Sequence, residues 1–339
     1  MQEPIIKDTL KNWRSIIRKY QRPDNKKATI QLVNSFLPFI GIWTLMYFSL
    51  DWSYFITIPL AAVAAFFLVR IFIIQHDCGH QSFMKFRKAN NIIGFISSLF
   101  STIPFKSWSK MHNAHHAHNR QLEHRGLGDT FFLTTEEYKK RSTWGKFKYR
   151  VLRAPIVQFF IAPALYLTVI VRVSLFKLKG WQKIKWSHLA NNAILLAIYI
   201  LVALLLGWQK FLLVQLPIFM IFGVIAFWFF YVQHQHEDNY NERKKNWDHL
   251  LASIRGSTFY KLPKLFNWLS GNIGYHHIHH LNPSIPNYQL AACANENPIL
   301  NKYVNVLTFR ESLKCMHNKL WDPDQKRMIT FKEYARINR

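Results

Sequence analysis

The sequence predicts an all-α integral membrane protein, with four transmembrane helices in two hairpins, interfacial helices and a cytosolic helical cap. Three observations lead there. Hydrophobic residues make up 50% of the 339, yet mean hydropathy is only −0.04, because the apolar residues are gathered in blocks between strongly basic stretches. Lys+Arg outnumber Asp+Glu by 44 to 18, a formal net charge of +26. The sixteen histidines fall mostly in three clusters at the ends of apolar blocks or just beyond them. The charge balance suits nucleic acid or an anionic membrane surface; the apolar blocks select the membrane, and no nucleic-acid motif is visible. Cys78, Cys293 and Cys315 are too scattered for a disulfide framework or a Cys-x-x-Cys knuckle, which fits a reducing, cytosolic side.

Residues 1–29 form a basic segment. Ile5, Ile6, Leu10, Trp13, Ile16, Ile17 and Tyr20 recur at helical spacing, with Lys7, Lys11, Arg14, Arg18 and Lys19 between them. This is an amphipathic helix, lying either on the membrane or on the cytosolic cap. Residues 30–50 and 54–75 are two apolar runs of spanning length, separated by Asp51, Trp52 and Ser53, and so form a hairpin. Arg70 lies near the end of the second run, where it can snorkel or pair. Residues 91–105, with Pro104, are too short to span and read as interfacial or re-entrant.

Apolar runs follow at 154–173, 190–206 and 209–232. If all three crossed, Lys177, Lys179, Lys183 and Lys185 would lie outside, against the positive-inside bias. Pro155 and Pro163 also weaken the first run as a straight span. The segment 154–173 is therefore placed on the inner surface, and 190–232 forms the second hairpin, turning at Gly207. Both termini then lie in the cytosol. The functional domain is expected over 30–305, with 306–339 a cytosolic tail.

The histidine clusters are His76-Asp77-Cys78-Gly79-His80, His112-Asn113-Ala114-His115-His116 and His276-His277-Ile278-His279-His280. On a helix, residues three and four apart share a face. His76 and His80 therefore point one way, as do His112, His115 and His116, and His276, His279 and His280. Neutral imidazole binds iron, copper and zinc. Eight such nitrogens are too many for one ion but suit two ions sharing a site. His234, at the end of the fourth span, is the preferred ninth ligand; His236 competes with it. His277 is out of phase with its neighbours. His118, His124, His188, His249 and His317 lack cluster spacing and read as surface or supporting groups. Asp77, Glu237 and Asp238 are candidate acceptors for imidazole N–H groups, or else carboxylates that relieve a basic surface.

These clusters resemble, in order and spacing, the three histidine boxes of the membrane fatty-acid desaturases, over roughly Ile30 to Tyr288. Arg70-Ile71-Phe72-Ile73-Ile74, Phe230-Tyr231-Val232-Gln233-His234, Phe259-Tyr260-Lys261-Leu262-Pro263-Lys264 and Gly271-Asn272-Ile273-Gly274-Tyr275 resemble the bacterial acyl-lipid delta-5 members of that family in particular. The resemblance implies a di-iron centre held by His76, His80, His112, His115, His116, His234, His276, His279 and His280. It implies dioxygen as co-substrate and a cis double bond introduced into the acyl chains of membrane lipids. It also implies a bacterial cytoplasmic membrane, with the active site facing the cytosol.

No haem- or flavin-binding domain is visible, so electrons are expected from a separate ferredoxin- or flavodoxin-type donor. Arg120, Arg125, Lys139, Lys140, Arg141, Lys146 and Lys148, which follow the second cluster, could meet that acidic donor or lipid phosphates. Two alternatives share the histidines: a hydroxylase or ketolase of the same superfamily, and a histidine-rich metal transporter. A transporter would place polar ligands near mid-bilayer, and these lie at span ends.

Overall fold

The structure, a computed structural model, describes residues 2–126, 128–173 and 180–337. Among these residues four helices are long and apolar enough to cross a membrane: α1 (Asn25–Ser49), α2 (Tyr54–Gly79), α5 (Lys185–Leu206) and α6 (Trp208–His234). Two amphipathic helices, α3 (Arg87–Ser101) and α4 (Phe105–Ala117), intervene, and the short α7 (His276–Leu281) lies in the cap. Each long helix runs beyond its apolar block. Asp24 caps α1 by accepting from the Lys26 and Lys27 amides, so the helix starts in basic sequence ahead of the apolar run. The far ends of α2 and α6 extend past their apolar runs to carry His76 and His234.

The bundle is organised around α2. It packs along α1, α3 and α6, and half of its apolar window is buried, against 11–28% in the other three long helices. Ala61, Ala64 and Ala65 are fully buried beside Leu68, and such small side chains let neighbouring backbones come close. Buried Arg70 bonds the Trp268 carbonyl and lies over its ring, so the cation is paired rather than snorkelling.

Of the two apolar segments not read as spans, residues 91–105 become α3 and a sharp left-handed turn at Thr102, before α4 begins. Residues 157–170 form a helix with two π-turns, bent by 54° from the basic helix Thr143–Leu152. At about 1.5 Å per residue it is some 21 Å long, short of a ~30 Å hydrocarbon core. It lies against α6, where Gly223 leaves room: a Cβ there would stand 3.0 Å from Pro163 Cβ. Lys177 and Lys179, which entered the charge argument, lie outside the described residues.

The cap differs from the expectation in two respects. The amphipathic segment is not one continuous helix. It breaks between Gln2–Thr9 and Trp13–Ile17, and its apolar face is buried within the protein. Ile6, Leu10, Trp13, Ile17 and Tyr20 pack with Leu251, Ile254, Ile278, Leu281 and Leu290, the core that also holds α7. Residues 306–339 are likewise no loose tail, and the protein is not purely helical. β3 (Asn305–Leu307) pairs in parallel with β2 (Thr258–Tyr260), while β4 (Leu320–Asp322) lies between β1 (Leu133–Thr134) and β5 (Arg327–Ile329). Two- and three-residue strands give no periodic signal; β1–β4 and β2–β3 join distant segments, while β4 and β5 form a local antiparallel hairpin.

Because the N-terminal face is buried, Ile17→Asp should cost at least about 3 kcal/mol and lower the midpoint of thermal unfolding in detergent. Ile5→Asp, at a position 57% exposed, should leave that midpoint nearly unchanged.

Candidate metal centre

The three clusters meet where α2, α4, α6 and α7 come together. Their approach depends on small features of the clusters themselves. Gly79 faces α4 so closely that a Cβ would stand 2.6 Å from Ser109 Oγ, so a larger residue would push the second cluster away from the first. α7 is one and a half turns long, and all six of its residues are buried.

The side chains form two adjoining nests. One nitrogen from each of His76, His80, His112, His116 and His279 lies within 4.8 Å of every other, and the same holds for His115, His234 and His280. His276 completes the second nest, its Nε2 lying 3.0 Å from His234 Nε2 and 3.1 Å from His280 Nε2. In the first nest, His116 Nε2 is 3.1 Å from His112 Nε2 and 2.9 Å from His279 Nε2. Two nitrogens bound at about 2.1 Å and at right angles around one ion would stand about 3 Å apart. The spacing is that of ligand sets.

Burial holds the rings on α4 and α7 in the form that binds metal. Desolvation pushes His112, His116, His276, His279 and His280 well below the usual imidazole range, with neighbouring rings adding to the effect. His115 is pushed down to about 4, chiefly by burial. Neutral imidazoles keep a lone pair, and His80 Nε2 and His115 Nε2 are buried without a hydrogen-bond partner among the described residues. Leaving such an atom unpaired costs about 1–3 kcal/mol, which a metal bond would recover. The donor set fits a pair of transition-metal ions.

Supporting contacts orient the rings. His76 Nδ1 is 2.8 Å from Asp77 Oδ1, and Asp77 Oδ2 accepts from the backbone N and side-chain Nδ2 of Asn287, at 2.6 and 2.9 Å. A carboxylate in that position fixes the tautomer and raises ligand basicity. Glu237 and Asp238, read either as such acceptors or as carboxylates that relieve a basic surface, are both exposed. The chain turns outward once α6 ends, so Glu237 pairs with Arg327 at the surface, and Asp238 accepts from Asn305 through its backbone carbonyl. His236 also leaves the cluster, its Nε2 lying 3.4 Å from Asn305 Nδ2. His277 faces away, toward Asn301 Oδ1 at 2.9 Å.

The basic run after the second cluster divides. Lys139, Lys140, Arg141 and Lys148 are exposed, as a docking surface requires. Arg120 is not: it is buried, donates to the His234 carbonyl at 2.8 Å and forms an ion pair with Asp129. Arg125 pairs with Glu137. Nothing local in the sequence distinguishes Arg120 from its exposed neighbours. Trp108, whose ring stacks on His112 at 4.6 Å, was legible, since it lies one helical turn before that histidine.

Beside the nests lies a cavity of about 490 Å³, lined by Trp108 and His112 and, along its length, by Phe72, Phe159, Leu167, Ile170, Phe222, Phe227 and Phe230. Its volume and apolar walls are those of a site for a small hydrophobic ligand.

A family model described as fatty acid desaturase matches residues 50–309. A "Fatty acid desaturase" of Bacillus subtilis is 43% identical over 338 residues, covering 99% of this chain and 95% of that protein. The "sn-1 oleoyl-lipid 12-desaturase" of Anabaena variabilis is 26% identical over 289 residues, covering 80% and 76% of the two chains. The "sn-1 acyl-lipid omega-3 desaturase (ferredoxin)" of a Nostoc species is 25% identical over 261 residues, covering 74% and 69%.

If the nests hold metal as their spacing indicates, purified protein loaded with ferrous iron should contain two ions per chain. Asp77→Asn should weaken metal affinity about 10- to 100-fold by releasing the His76 ring, read by competition with a chelator. Glu237→Gln should leave it unchanged.

Proposed function

The chain belongs to the fatty acid desaturase family, and from that premise we propose that it introduces a cis double bond into the acyl chains of membrane lipids, at a di-iron centre held by nine histidines. The coarse activity follows from family membership: this is a membrane oxidoreductase that desaturates fatty acyl chains. The proposal adds the centre, its ligands, its sidedness and the position attacked. The observation that carries it is the pair of imidazole nests bordering an apolar cavity.

In the proposed assignment His76, His80, His112, His116 and His279 hold one iron, and His115, His234, His276 and His280 the other. Bound there, the metals supply what side chains cannot, an oxidant able to take hydrogen from an unactivated methylene by using dioxygen. The protein supplies placement. Trp108 and His112 share a wall of the cavity, so a chain lying there passes beside the first nest, and the phenylalanines around it exclude water from the reacting carbons. Asp77 keeps His76 turned toward the nest, and Arg120 ties the last turn of α6 to the loop that follows α4.

The two pairs of long helices, joined by the short turns at Asp51–Ser53 and Gly207, support a four-span hairpin topology with the nests and both termini in the cytosol. The exposed cations Lys139, Lys140, Arg141 and Lys148 support a separate acidic donor of ferredoxin or flavodoxin type. A ferredoxin appears in the printed name of the Nostoc relative. The double bond is assigned to delta-5 on the connecting phrases of the sequence. The relatives named by position carry other names, 12 and omega-3, so product analysis decides between them.

Expressed in a host without desaturases, the protein should yield monounsaturated cis acyl chains in the membrane lipids. Gas chromatography with mass spectrometry should place the bond at carbon 5; a bond elsewhere rejects delta-5, and an inserted oxygen rejects desaturation. His115→Ala, His234→Ala and His279→Ala should each abolish product while leaving membrane insertion intact, whereas His236→Ala should retain most of it. Cysteines placed at Trp52 and Trp208 should react with impermeant reagent only from outside the cell.

A further inference from the structure

The wall of the cavity is not uniform. Leu167, Ile170, Phe222, Gly223 and Phe227 line an apolar stretch beside the middle of α6, whereas Arg153 lines it where the basic helix Thr143–Leu152 ends. Arg153 is only 4% exposed, and so is Lys319 beside it. Neither has a carboxylate partner among the described residues. Arg153 donates to the carbonyls of Phe131 and Asn318 at 3.2 and 3.1 Å and to the Tyr231 hydroxyl at 3.3 Å. It also donates to Gln235 Oε1 at 3.5 Å, and its Nε is buried with no hydrogen-bond partner among the described residues. Lys319 Nζ donates to Gln158 Oε1 at 3.1 Å, and Gln158 itself lines the cavity.

Two buried cations without a counter-charge are costly, and proteins rarely keep such a pair without something to neutralise it. The strain shows in Lys319, which burial, with the Arg153 charge beside it, pushes down to about 7. The other polar groups nearby do not supply the missing charge: Asp129, a carboxylate that lines the same cavity, is ion-paired with Arg120. The Tyr231 hydroxyl is committed to the Asn318 carbonyl at 2.9 Å, and the Tyr149 hydroxyl to the Lys319 carbonyl at 2.6 Å. Tyr231 lies one turn before His234, so the cationic end is level with the histidine nests and away from the mid-helix part of the cavity.

We propose that Arg153, seconded by Lys319, is the anion-binding end of this cavity, and that the anion it takes is the phosphodiester of a membrane glycerophospholipid whose acyl chain fills the apolar end. The inference rests on the acyl-chain reading of the cavity and goes beyond it by naming the lipid's charged end and the residues that hold it. A phosphodiester is also present in a phosphopantetheine-linked acyl group. The phospholipid is favoured because its phosphate lies only a few bonds from the acyl ester, matching a cationic group that shares one cavity with the apolar walls. Anchored in this way, the chain is measured from its carboxyl end, and the distance from Arg153 to the nests sets which carbon is presented.

The test uses the full-length, iron-loaded protein in neutral detergent without an electron donor, so that binding is read apart from turnover. Brominated acyl chains quench tryptophan, and Trp108 lines the cavity. Three probes are compared: brominated phosphatidylglycerol, the matching diacylglycerol without phosphate, and a brominated acyl-phosphopantetheine. Arg153→Gln and Lys319→Gln should each weaken phosphatidylglycerol binding about tenfold, the loss expected for a charge-assisted contact, and leave diacylglycerol within about twofold. Lys319→Gln stands as the second variant should Arg153→Gln fail to fold, and Arg153→Lys should restore part of the affinity. Unchanged phosphatidylglycerol binding in folded variants overturns the proposal. So does an equal loss of both lipids, which would mark Arg153 as a structural staple. Loss confined to the phosphopantetheine probe overturns the phospholipid as its source. A protein that binds phosphatidylglycerol as expected but makes no unsaturated product would refute the desaturation reading and leave the anion site standing.

Discussion

Nine imidazoles packed into a dry interior pose a problem that dominates the rest of this structure. Each ring brings a lone pair that water no longer satisfies, and protonating them together would gather positive charge at low dielectric. Burial favours the neutral form of the rings on α4 and α7, and nitrogens in each of the two groups stand about 3 Å apart. Neighbouring lone pairs at that spacing repel unless something positive lies between them. Two ions bound between them would resolve the conflict, and a fold that brought these rings together without any would carry an unrecovered cost.

The surrounding architecture follows from holding four short stretches of chain in register around that point. α2 is the most buried of the long helices and delivers His76 and His80. α4 reaches it across Gly79, α6 ends on His234, and α7 is fixed by a core to which the N-terminal segment contributes Ile6, Leu10 and Ile17. The N-terminal segment, read from its periodicity alone, has two possible supports, membrane or cap. The cap prevails because its apolar partners are already assembled around α7.

The relation between nests and cavity joins structure to activity. The histidines border the cavity through His112 and Trp108, and most of its length is aromatic and aliphatic. Charged side chains enter it at Arg153, behind which Lys319 lies buried, and at Asp129, which is paired with Arg120. A ligand with an anionic end and a long apolar body matches that distribution. The same contrast separates the basic residues of the cap. Those on the outer face of Thr143–Leu152 and the preceding turn meet solvent, while Arg120 and Arg153 turn inward to tie loops together.

The sequence by itself determined the four apolar blocks, the helical spacing of the histidines and eight of the nine residues in the two nests. These signals are local: they depend on residues a few positions apart, and helix geometry turns spacing into direction. It also favoured His234 over His236, because the end of a span faces the same side as the clusters. The tertiary structure decided what depends on distant chain. It divided the nine rings five and four, turned Glu237 out to Arg327 while leaving Asp77 on His76, and tied the chain after residue 304 to the rest of the protein through the pairing of β3 with β2 and of β4 with β1. It also made the cavity, whose walls come from five separated stretches between Phe72 and Tyr231. Whether a carboxylate or a cation faces a ring, a cavity or solvent is set by packing between segments far apart in the chain, and no periodicity within either segment carries that information.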